Sequence, residues 1–315
     1  MAGDSTRYLR PDVLAQIGDL ELRARYVVEG FVSGLHRSPY HGYSVEFAQH
    51  KEYVAGDDIR HLDWRVYGRT DRFYIKQFEE ETNLRTHILL DCSGSMRYPD
   101  TEAGGPRATA RGARLSKFEY AATVAASLAF LLIHQQDAVG LMLFDNQVRA
   151  NLPPLSNRSH LRSITSQIDD ARLDAPTEAK ALFTDVAAKL HRRSLVILIS
   201  DLLADTADVV KGLERMRYAD HEVIVMHVLD HDERTFPFQD NTLFEGLEAP
   251  DMRLTVDPQS LRRGYLQALD AFVSQIRGAC MNSGIDYVGL STRDTLDVAL
   301  RSYLASRQHM IKAKS

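Results

Sequence analysis

The chain has 315 residues, enough for two domains or for one α/β domain with an extension, and its 44% hydrophobic content can fill a sizeable core. A net charge of −5 gives no electrostatic reason to expect nucleic acid or an anionic membrane as a partner. Two cysteines imply no disulfide framework. No apolar run reaches membrane-spanning length and the start of the chain lacks a signal-peptide pattern, so we expect a cytoplasmic protein without direct membrane insertion.

Helices and strands alternate along the chain in the way that a doubly wound α/β fold requires. Before residue 85, the sequence predicts a helix over 11–33 and short extended pieces over 43–82. The later predicted strands cover 85–90, 138–144, 147–151, 195–201, 222–228 and 285–290, with an edge hairpin over 242–256. The later predicted helices cover 117–136, 159–168, 179–190, 207–216, 258–281 and 296–306. We therefore expect an amino-terminal segment over 1–84, an α/β domain with a doubly wound, mostly parallel sheet over 85–306, and a flexible tail over 307–315.

An apolar strand over residues 86–90 ends in a polar motif, Asp91, Ser93 and Ser95. In an open parallel sheet, ligands bind at the carboxyl ends of the strands. The Asp-x-Ser-x-Ser spacing lets alternate residues of a tight turn point their oxygens at one centre. Such oxygens are hard ligands suited to Mg²⁺, Mn²⁺ or Ca²⁺. The alternative is a polar strand-to-helix turn in which Ser93 or Ser95 caps backbone N–H groups.

A second buried strand, over residues 195–199, also ends in polar residues, Ser200 and Asp201. Between the two strands, Thr177 precedes a helix whose apolar positions recur at helical spacing, so its hydroxyl is expected on a loop. Thr184 is the second candidate, although it falls inside the helical pattern.

Together, these residues resemble the metal-ion-dependent adhesion site of von Willebrand factor A domains. The ordered set is Asp91, Ser93, Ser95, Thr177 and Asp201. The resemblance implies that the first aspartate, the two serines and the threonine hold one divalent cation, for which we expect Mg²⁺ or Mn²⁺ rather than Ca²⁺. It also implies that Asp201 acts through water or ligates directly, and that one coordination position stays open for a partner's carboxylate.

The segment before the first strand is similar to a bacterial family known as domain of unknown function 58. The similarity covers about residues 10–305 and rests on the ordered stretches 34–42, 45–47, 53–64, 69–72 and 76–81. Members attach such a segment to a von Willebrand factor A-like domain and are often encoded beside MoxR-type AAA ATPases. The resemblance therefore implies association with a MoxR-type ATPase, or with its client protein, through an acidic side chain. The chain departs from the family at Ala175-Pro176, where small glycines are common before the threonine.

The insert over residues 97–117 has no hydrophobic period. Its net charge is +3, from five basic residues (Arg97, Arg107, Arg111, Arg114 and Lys117) against Asp100 and Glu102. It is interpreted as a mobile, solvated loop, with electrostatic guidance of an acidic partner as the alternative. Two nearby residues have predicted structural roles: Cys92 as a packed core residue and Trp64 as an anchor of the amino-terminal segment.

Two classes of function fit the motif: a binding module, and a metal-dependent phosphohydrolase with Asp91 as nucleophile. Haloacid-dehalogenase phosphatases also place an aspartate at the end of the first strand, but they need a second acid two residues later, where this chain has Ser93. The sequence contains neither a Gly-x-Ser-x-Gly pattern nor a P-loop. We therefore predict a non-enzymatic, metal-dependent protein-binding adaptor and keep the phosphohydrolase as the alternative.

Overall fold

The structure is a computed structural model that describes residues 19–35, 50–52, 74–76, 85–99, 114–173, 185–186, 189–190, 193–248 and 251–312. These residues belong to two compact units. The larger unit contains the first helix and the elements described from residue 85 onward, and the smaller unit contains a two-stranded antiparallel sheet.

The elements alternate largely as the sequence predicts. The helices are α1 (Leu20–Leu35), α2 (Lys117–His134), α3 (Arg158–Asp169), α4 (Thr206–Tyr218), α5 (His231–Thr235), α6 (Pro258–Asn282) and α7 (Asp297–Lys312). The strands are β1 (His50–Glu52), β2 (Tyr74–Lys76), β3 (Arg85–Asp91), β4 (Ala138–Phe144), β5 (Val148–Leu155), β6 (Leu195–Ser200), β7 (Glu222–Leu229), β8 (Thr242–Glu245), β9 (Arg253–Val256) and β10 (Asp286–Ser291). A 3₁₀ turn spans Gly94–Arg97.

The central sheet has six strands in the order β10-β7-β6-β3-β4-β5. All neighbouring strands are parallel except β4 and β5, which form an antiparallel hairpin. Read from β5 and numbered within this sheet alone, the order is 3-2-1-4-5-6, which is that of a doubly wound fold. The predicted fold class is therefore confirmed. The winding reverses between β3 and β6, so the switch point lies between the two strands that carry the predicted motifs.

Helices cover both faces of the sheet, as a buried parallel sheet requires. On one face, α2 packs against the strands and against α3 and α7, while α4 and α6 pack on the other face. Successive side chains of a strand point to opposite faces of the sheet. Leu89 and Leu198 point to the face covered by α4 and α6, and they belong to the core on that face. Within the described ranges, no helix is long and apolar enough to cross a membrane.

The first residue of helix α2, Lys117, is charged but buried. Ser116 and Glu119 close a capping box, with Glu119 N donating to Ser116 Oγ at 3.1 Å and Ser116 N donating to Glu119 Oε2 at 2.7 Å. The helix is apolar on nearly all sides, so almost its whole length is buried. This packing fixes Lys117, its first residue, below the surface.

Several elements differ from expectation. Among the described strands, β8 and β9 pair with each other alone, so the predicted edge hairpin forms a separate sheet and the central sheet ends at β5 and β10. Helix α5 was not predicted because five residues are too few to show a helical period. Helix α7 continues to Lys312 rather than ending at Ser306. Trp64, and the beginning of the first predicted helix, lie outside the described residues.

Gly140 on β4 should not tolerate a side chain. A Cβ there would lie 2.7 Å from Leu152 O and 3.0 Å from Pro154 N, both backbone atoms of the adjacent strand β5. We expect Gly140→Ala to lower the free energy of unfolding by about 1–3 kcal/mol, as overpacking does. Gly264→Ala is the matched control, since no heavy atom lies within 4 Å of its Cβ position and alanine favours a helix interior by about 0.5–1 kcal/mol. Equal urea midpoints for the two variants would show that a side chain at Gly140 does not clash with β5.

Candidate metal centre

Four neighbouring parallel strands deliver an acid to the same edge of the sheet. Strand β3 ends at Asp91, and strands β4, β6 and β7 are followed directly by Asp145, Asp201 and Asp230. All four residues are almost completely buried. A buried carboxylate is costly unless a cation or hydrogen-bond donors compensate it, so the partners of each acid indicate its role.

Three of the four acids are paired with a basic side chain. The pairs are Asp145 with Arg149 (2.5 Å, Oδ2 to Nε), Asp201 with Lys117 (2.7 Å, Oδ2 to Nζ) and Asp230 with Arg114. Each pair places a positive charge beside the carboxylate, which makes these three acids part of the structure's own charge balance.

The buried carboxylate of Asp91 is stabilised by a different kind of partner. In the part of the chain that the structure describes, its carboxylate contacts hydroxyl and amide donors but no basic side chain. Oδ1 accepts a hydrogen bond from Ser93 N at 2.9 Å, and Oδ2 accepts one from the Ser200 hydroxyl. Burial, and next the charge on Asp201, raise the pKa of Asp91 to about 7. A cation at this carboxylate would remove that cost.

The two serines place their oxygens where a small divalent cation could bind both. Ser93 Oγ and Ser95 Oγ lie 3.0 Å apart, and both residues are buried beside Asp91. Neighbouring oxygens around an octahedral Mg²⁺ are also about 3.0 Å apart, given metal–oxygen distances of about 2.1 Å. The donors are one carboxylate and neutral hydroxyls, a hard set that suits Mg²⁺ or Mn²⁺. The residues present therefore fit such an ion.

Asp201 has less freedom to ligate directly. Its Oδ2 accepts a hydrogen bond from Lys117, and its Oδ1 accepts one from Leu203 N at 3.2 Å. Burial alone would raise the pKa of Asp201, but Lys117, aided by hydrogen bonds from Leu203 N and the Ser95 hydroxyl, holds that pKa below its ordinary value. An ionised carboxylate with both oxygens already engaged favours a role through a bound water.

Lys117 connects this edge of the sheet to helix α5. Its ammonium group also contacts Glu233 Oε1 at 2.6 Å, and the residue is 1% exposed. Burial would lower the pKa of Lys117, but Asp201 and Glu233 together raise it above its ordinary value. Glu233 is held in place because its Oε2 accepts from Asp230 N at 2.7 Å, which closes a capping box at the start of α5.

The end of β6 is also fixed by the neighbouring strand. His227 Nε2 lies 2.9 Å from the Asp201 carbonyl, and a carbonyl can only accept, so this nitrogen carries the proton. Burial lowers the pKa of His227 to about 4, and the neutral ring leaves Nδ1 free to accept from the Tyr287 hydroxyl at 2.7 Å. These two bonds hold the backbone at Asp201 in position.

The family described as protein of unknown function DUF58 matches residues 49–271. The chain belongs to the DUF58 family. This DUF58 protein is 24% identical over 309 residues to the uncharacterized protein Rv1480 of Mycobacterium tuberculosis, a match that covers 95% of this chain and 90% of the relative. The uncharacterized protein Mb1516 of Mycobacterium bovis matches to the same extent.

Two solved structures are similar in fold to this DUF58 protein. The hypothetical protein BatB from Bacteroides thetaiotaomicron is 16% identical, with 74% of this chain and all of that chain covered, at a TM-score of 0.44. An aerotolerance-related membrane protein from Bacteroides fragilis is 15% identical, with 73% of this chain and 99% of that chain covered, at a TM-score of 0.46.

The structure brings together four of the five residues that the sequence of this DUF58 protein singles out. Asp91, Ser93, Ser95 and Asp201 lie at the ends of β3 and β6 and are joined by hydrogen bonds through Ser200 and through the two serine hydroxyls. Thr177 and the second candidate, Thr184, lie outside the described residues.

Sequence reasoning missed several residues around the site of this DUF58 protein, among them Ser200, Lys117 and Glu233. The pairing of Leu90 with Ile199 predicts that the next residues, Asp91 and Ser200, lie side by side, so Ser200 could have been found from the register. The sequence pattern places Lys117 among the charges of the insert over residues 97–117. Lys117 is instead buried, and Arg114 is paired with Asp230 and Asp232, so these two basic residues do not form a solvated guidance surface.

Cys92 lies within the motif, but its side chain belongs to the core. The residue is buried, and its thiol lies 3.1 Å from the Phe144 carbonyl. Burial, reinforced by the charges of Asp145 and Asp91, raises the pKa of Cys92 to about 12. A thiol with so little thiolate is unreactive, in agreement with its predicted packing role.

Proposed function

We propose that this protein is a cytoplasmic, metal-dependent protein-binding adaptor. Asp91, Ser93 and Ser95, with Thr177, hold one divalent cation, Mg²⁺ or Mn²⁺, and Asp201 acts through a bound water. One coordination position is left for an aspartate or glutamate of another protein. The bound ion supplies the positive charge that recruits this carboxylate.

The compensation of Asp91 carries this proposal. Asp145, Asp201 and Asp230 occupy equivalent places on neighbouring strands, and each has a basic partner, whereas the described contacts of Asp91 are hydroxyl and amide donors. The site also lies at the switch point of the sheet, where doubly wound folds bind ligands. Neutral hydroxyl ligands leave the cation electrophilic, which suits a site that receives an external carboxylate.

The proposed partner is a MoxR-type AAA ATPase or the client that such an ATPase remodels. This follows from the family resemblance, because members are often encoded beside such ATPases. A single metal–carboxylate contact cannot hold two proteins together, since stable interfaces bury on the order of 1,200–2,000 Å². The surface around the metal loop must therefore contribute contact area and steering.

We also propose that the site is not catalytic. A phosphohydrolase that uses Asp91 as its nucleophile needs an acid to protonate the leaving group. The residue two positions later is Ser93, which is not an acid and whose hydroxyl is hydrogen-bonded to that of Ser95. Turnover of a phosphate ester by the purified protein, lost in Asp91→Asn, would reverse this assignment.

The adaptor proposal predicts that association with the ATPase depends on both the metal and Asp91. With the full-length protein as bait and purified MoxR-type ATPase from the same organism as prey, we expect capture in Mg²⁺ that is lost on adding chelator. Asp91→Asn should bind as poorly in Mg²⁺ as the wild type does in chelator, whereas Asp145→Asn should still bind, since Asp145 already has Arg149 as its counter-ion. Capture that survives both chelator and Asp91→Asn would show that the metal site is not the docking point.

A further inference from the structure

The loop that follows β8 lies directly against the metal motif. A Cβ built on Gly94, between the two serines, would lie 3.0 Å from Leu247 O and 3.2 Å from Glu248 Cγ. The contact is so close that a side chain at Gly94 would require this loop to shift by a few tenths of an ångström. The absence of a side chain between Ser93 and Ser95 thus allows another part of the chain to reach the motif.

The side chain that this loop presents is an acid. Glu248 Oε1 accepts a hydrogen bond from Ser95 N at 3.3 Å. Ser95 in turn shares a hydroxyl hydrogen bond with Ser93, so the carboxylate of Glu248 contacts the backbone of a residue whose hydroxyl is assigned to the cation. Glu248 is half-buried, which means that it is shielded from solvent by the surface it contacts.

The hairpin that carries this loop packs through Phe244 on aromatic residues outside the hairpin. Phe244 on β8 stacks on Phe236 at a centroid distance of 5.9 Å and meets Phe238 edge to face at 5.3 Å. Phe236 also contacts Tyr265 of α6 at 4.8 Å. Beyond β8, Gly246 N donates to Met252 O at 2.9 Å and closes the hairpin. The position of Glu248 therefore follows from the packing of the hairpin on Phe236 and from the hydrogen bond that closes it.

Charge gives a reason for an acid at this place. The motif already contains Asp91 and Asp201, and like charges repel strongly in a buried environment. A divalent cation held by the motif would offset this repulsion, and it would also attract the carboxylate of Glu248, which already accepts a hydrogen bond from Ser95 N. Glu248 thus has the chemistry of the external acid that the site is proposed to receive, but it is supplied by the same chain.

We infer that Glu248 is an intramolecular acidic ligand of the metal loop, and that it holds the place which a partner's carboxylate must take. This inference rests on the proposed function. Binding of a partner then requires displacement of Glu248, so the apparent affinity for an external acid is reduced by the fraction of molecules in which Glu248 is bound. The hairpin sets how readily the site accepts an acidic partner.

The test uses Mn²⁺ and acetate as probes on the full chain. Glu248→Gln keeps an oxygen acceptor for Ser95 N but removes the charge, and Glu248→Ala removes the side chain. Glu245→Gln is the matched control, because Glu245 lies on the same hairpin but is exposed and paired with Arg253 at 3.1 Å. Calorimetry measures Mn²⁺ affinity, and solvent proton relaxation measures the water and acetate that reach bound Mn²⁺.

We expect both Glu248 variants to bind Mn²⁺ about 10-fold more weakly than the wild type. This is the lower end of the loss of metal affinity that follows removal of a group supporting a metal site. The Mn²⁺ that they hold should contact more exchangeable water and take up acetate at several-fold lower concentration than in the wild type. Glu245→Gln should match the wild type in all three measurements.

The inference is overturned if the Glu248 variants behave as Glu245→Gln does. It is also overturned if Mn²⁺ binding weakens without any gain in water or acetate access, because Glu248 would then act through charge alone. Both results leave the proposed function standing, provided that Asp91→Asn still abolishes Mn²⁺ binding. A wild type that binds Mn²⁺ no better than Asp91→Asn would overturn the proposed function together with this inference.

Discussion

Replacing Lys117 with methionine is expected to lower the free energy of unfolding of the metal-free protein by about 3–5 kcal/mol, as removing one partner of a buried ion pair does. Methionine has a similar length and keeps the packing of α2, but it leaves Asp201 and Glu233 without the ammonium group that lies 2.7 Å and 2.6 Å from their oxygens. Urea denaturation in the presence of chelator measures the loss.

The control for this change is Lys211→Met, on the exposed side of α4. It should stay within about 0.5 kcal/mol of the wild type, as ordinary surface substitutions do. If Lys117→Met proved equally harmless, Asp201 and Glu233 would be neutral or compensated by other groups, and the charge balance described for this edge would be wrong.

Asp91→Asn is expected to weaken Mn²⁺ binding by more than about 100-fold, since changes that only touch the outer shell of a metal site already cost about 10- to 100-fold. At a free Mn²⁺ concentration of about 100 times the dissociation constant, the wild type should gain about 2.7 kcal/mol of stability, and the variant should gain almost none. Calorimetry and thermal unfolding with and without Mn²⁺ measure the two effects. Asp145→Asn is the matched control, and its Mn²⁺ affinity should remain that of the wild type.

Without metal, the same substitution should reveal the cost of ionising Asp91. The pKa of this acid is raised from 3.8 to about 7, so between these pH values the folded state binds more protons than the unfolded state. The stability that Asp91 contributes is therefore present at low pH and is lost as the pH rises towards about 7. The stability of Asp91→Asn relative to the wild type should increase over that window in chelator. A constant difference would show that the pKa is not raised.

The fold could be predicted largely from the apolar strands. Residues 88–90 and 195–199 are apolar runs bounded by polar residues, and the structure pairs their strands as central neighbours of a parallel sheet. Hydrophobic pattern determines which strands are buried on both faces, but it does not specify which partner a polar hairpin chooses. For this reason β8 and β9 were placed at the sheet edge, although they form their own sheet over the aromatic residues around Phe236.

The candidate site was only partly visible in the sequence. The oxygens of Asp91, Ser93 and Ser95 follow one strand within five residues, so local spacing is enough to group them. The contacts of Lys117 and Glu248 with the site span 84 and 153 positions of the chain, respectively. Such contacts depend on how the loops pack above the sheet, and no local pattern encodes them. The role of Glu248 therefore became visible only in three dimensions.

The edge strand β5 limits how other proteins can bind. Pro153 and Pro154 lack backbone N–H groups, and they lie where the pairing of β5 with β4 shifts register between Leu152 and Leu155. An edge that is bulged and short of donors is a poor template for an added strand. A partner that docks by β-augmentation is therefore disfavoured on this side of the sheet, as is the stacking of one copy on another into a continuous ribbon. This feature agrees with the proposal that a partner is recognised by side chains at the carboxyl ends of the strands.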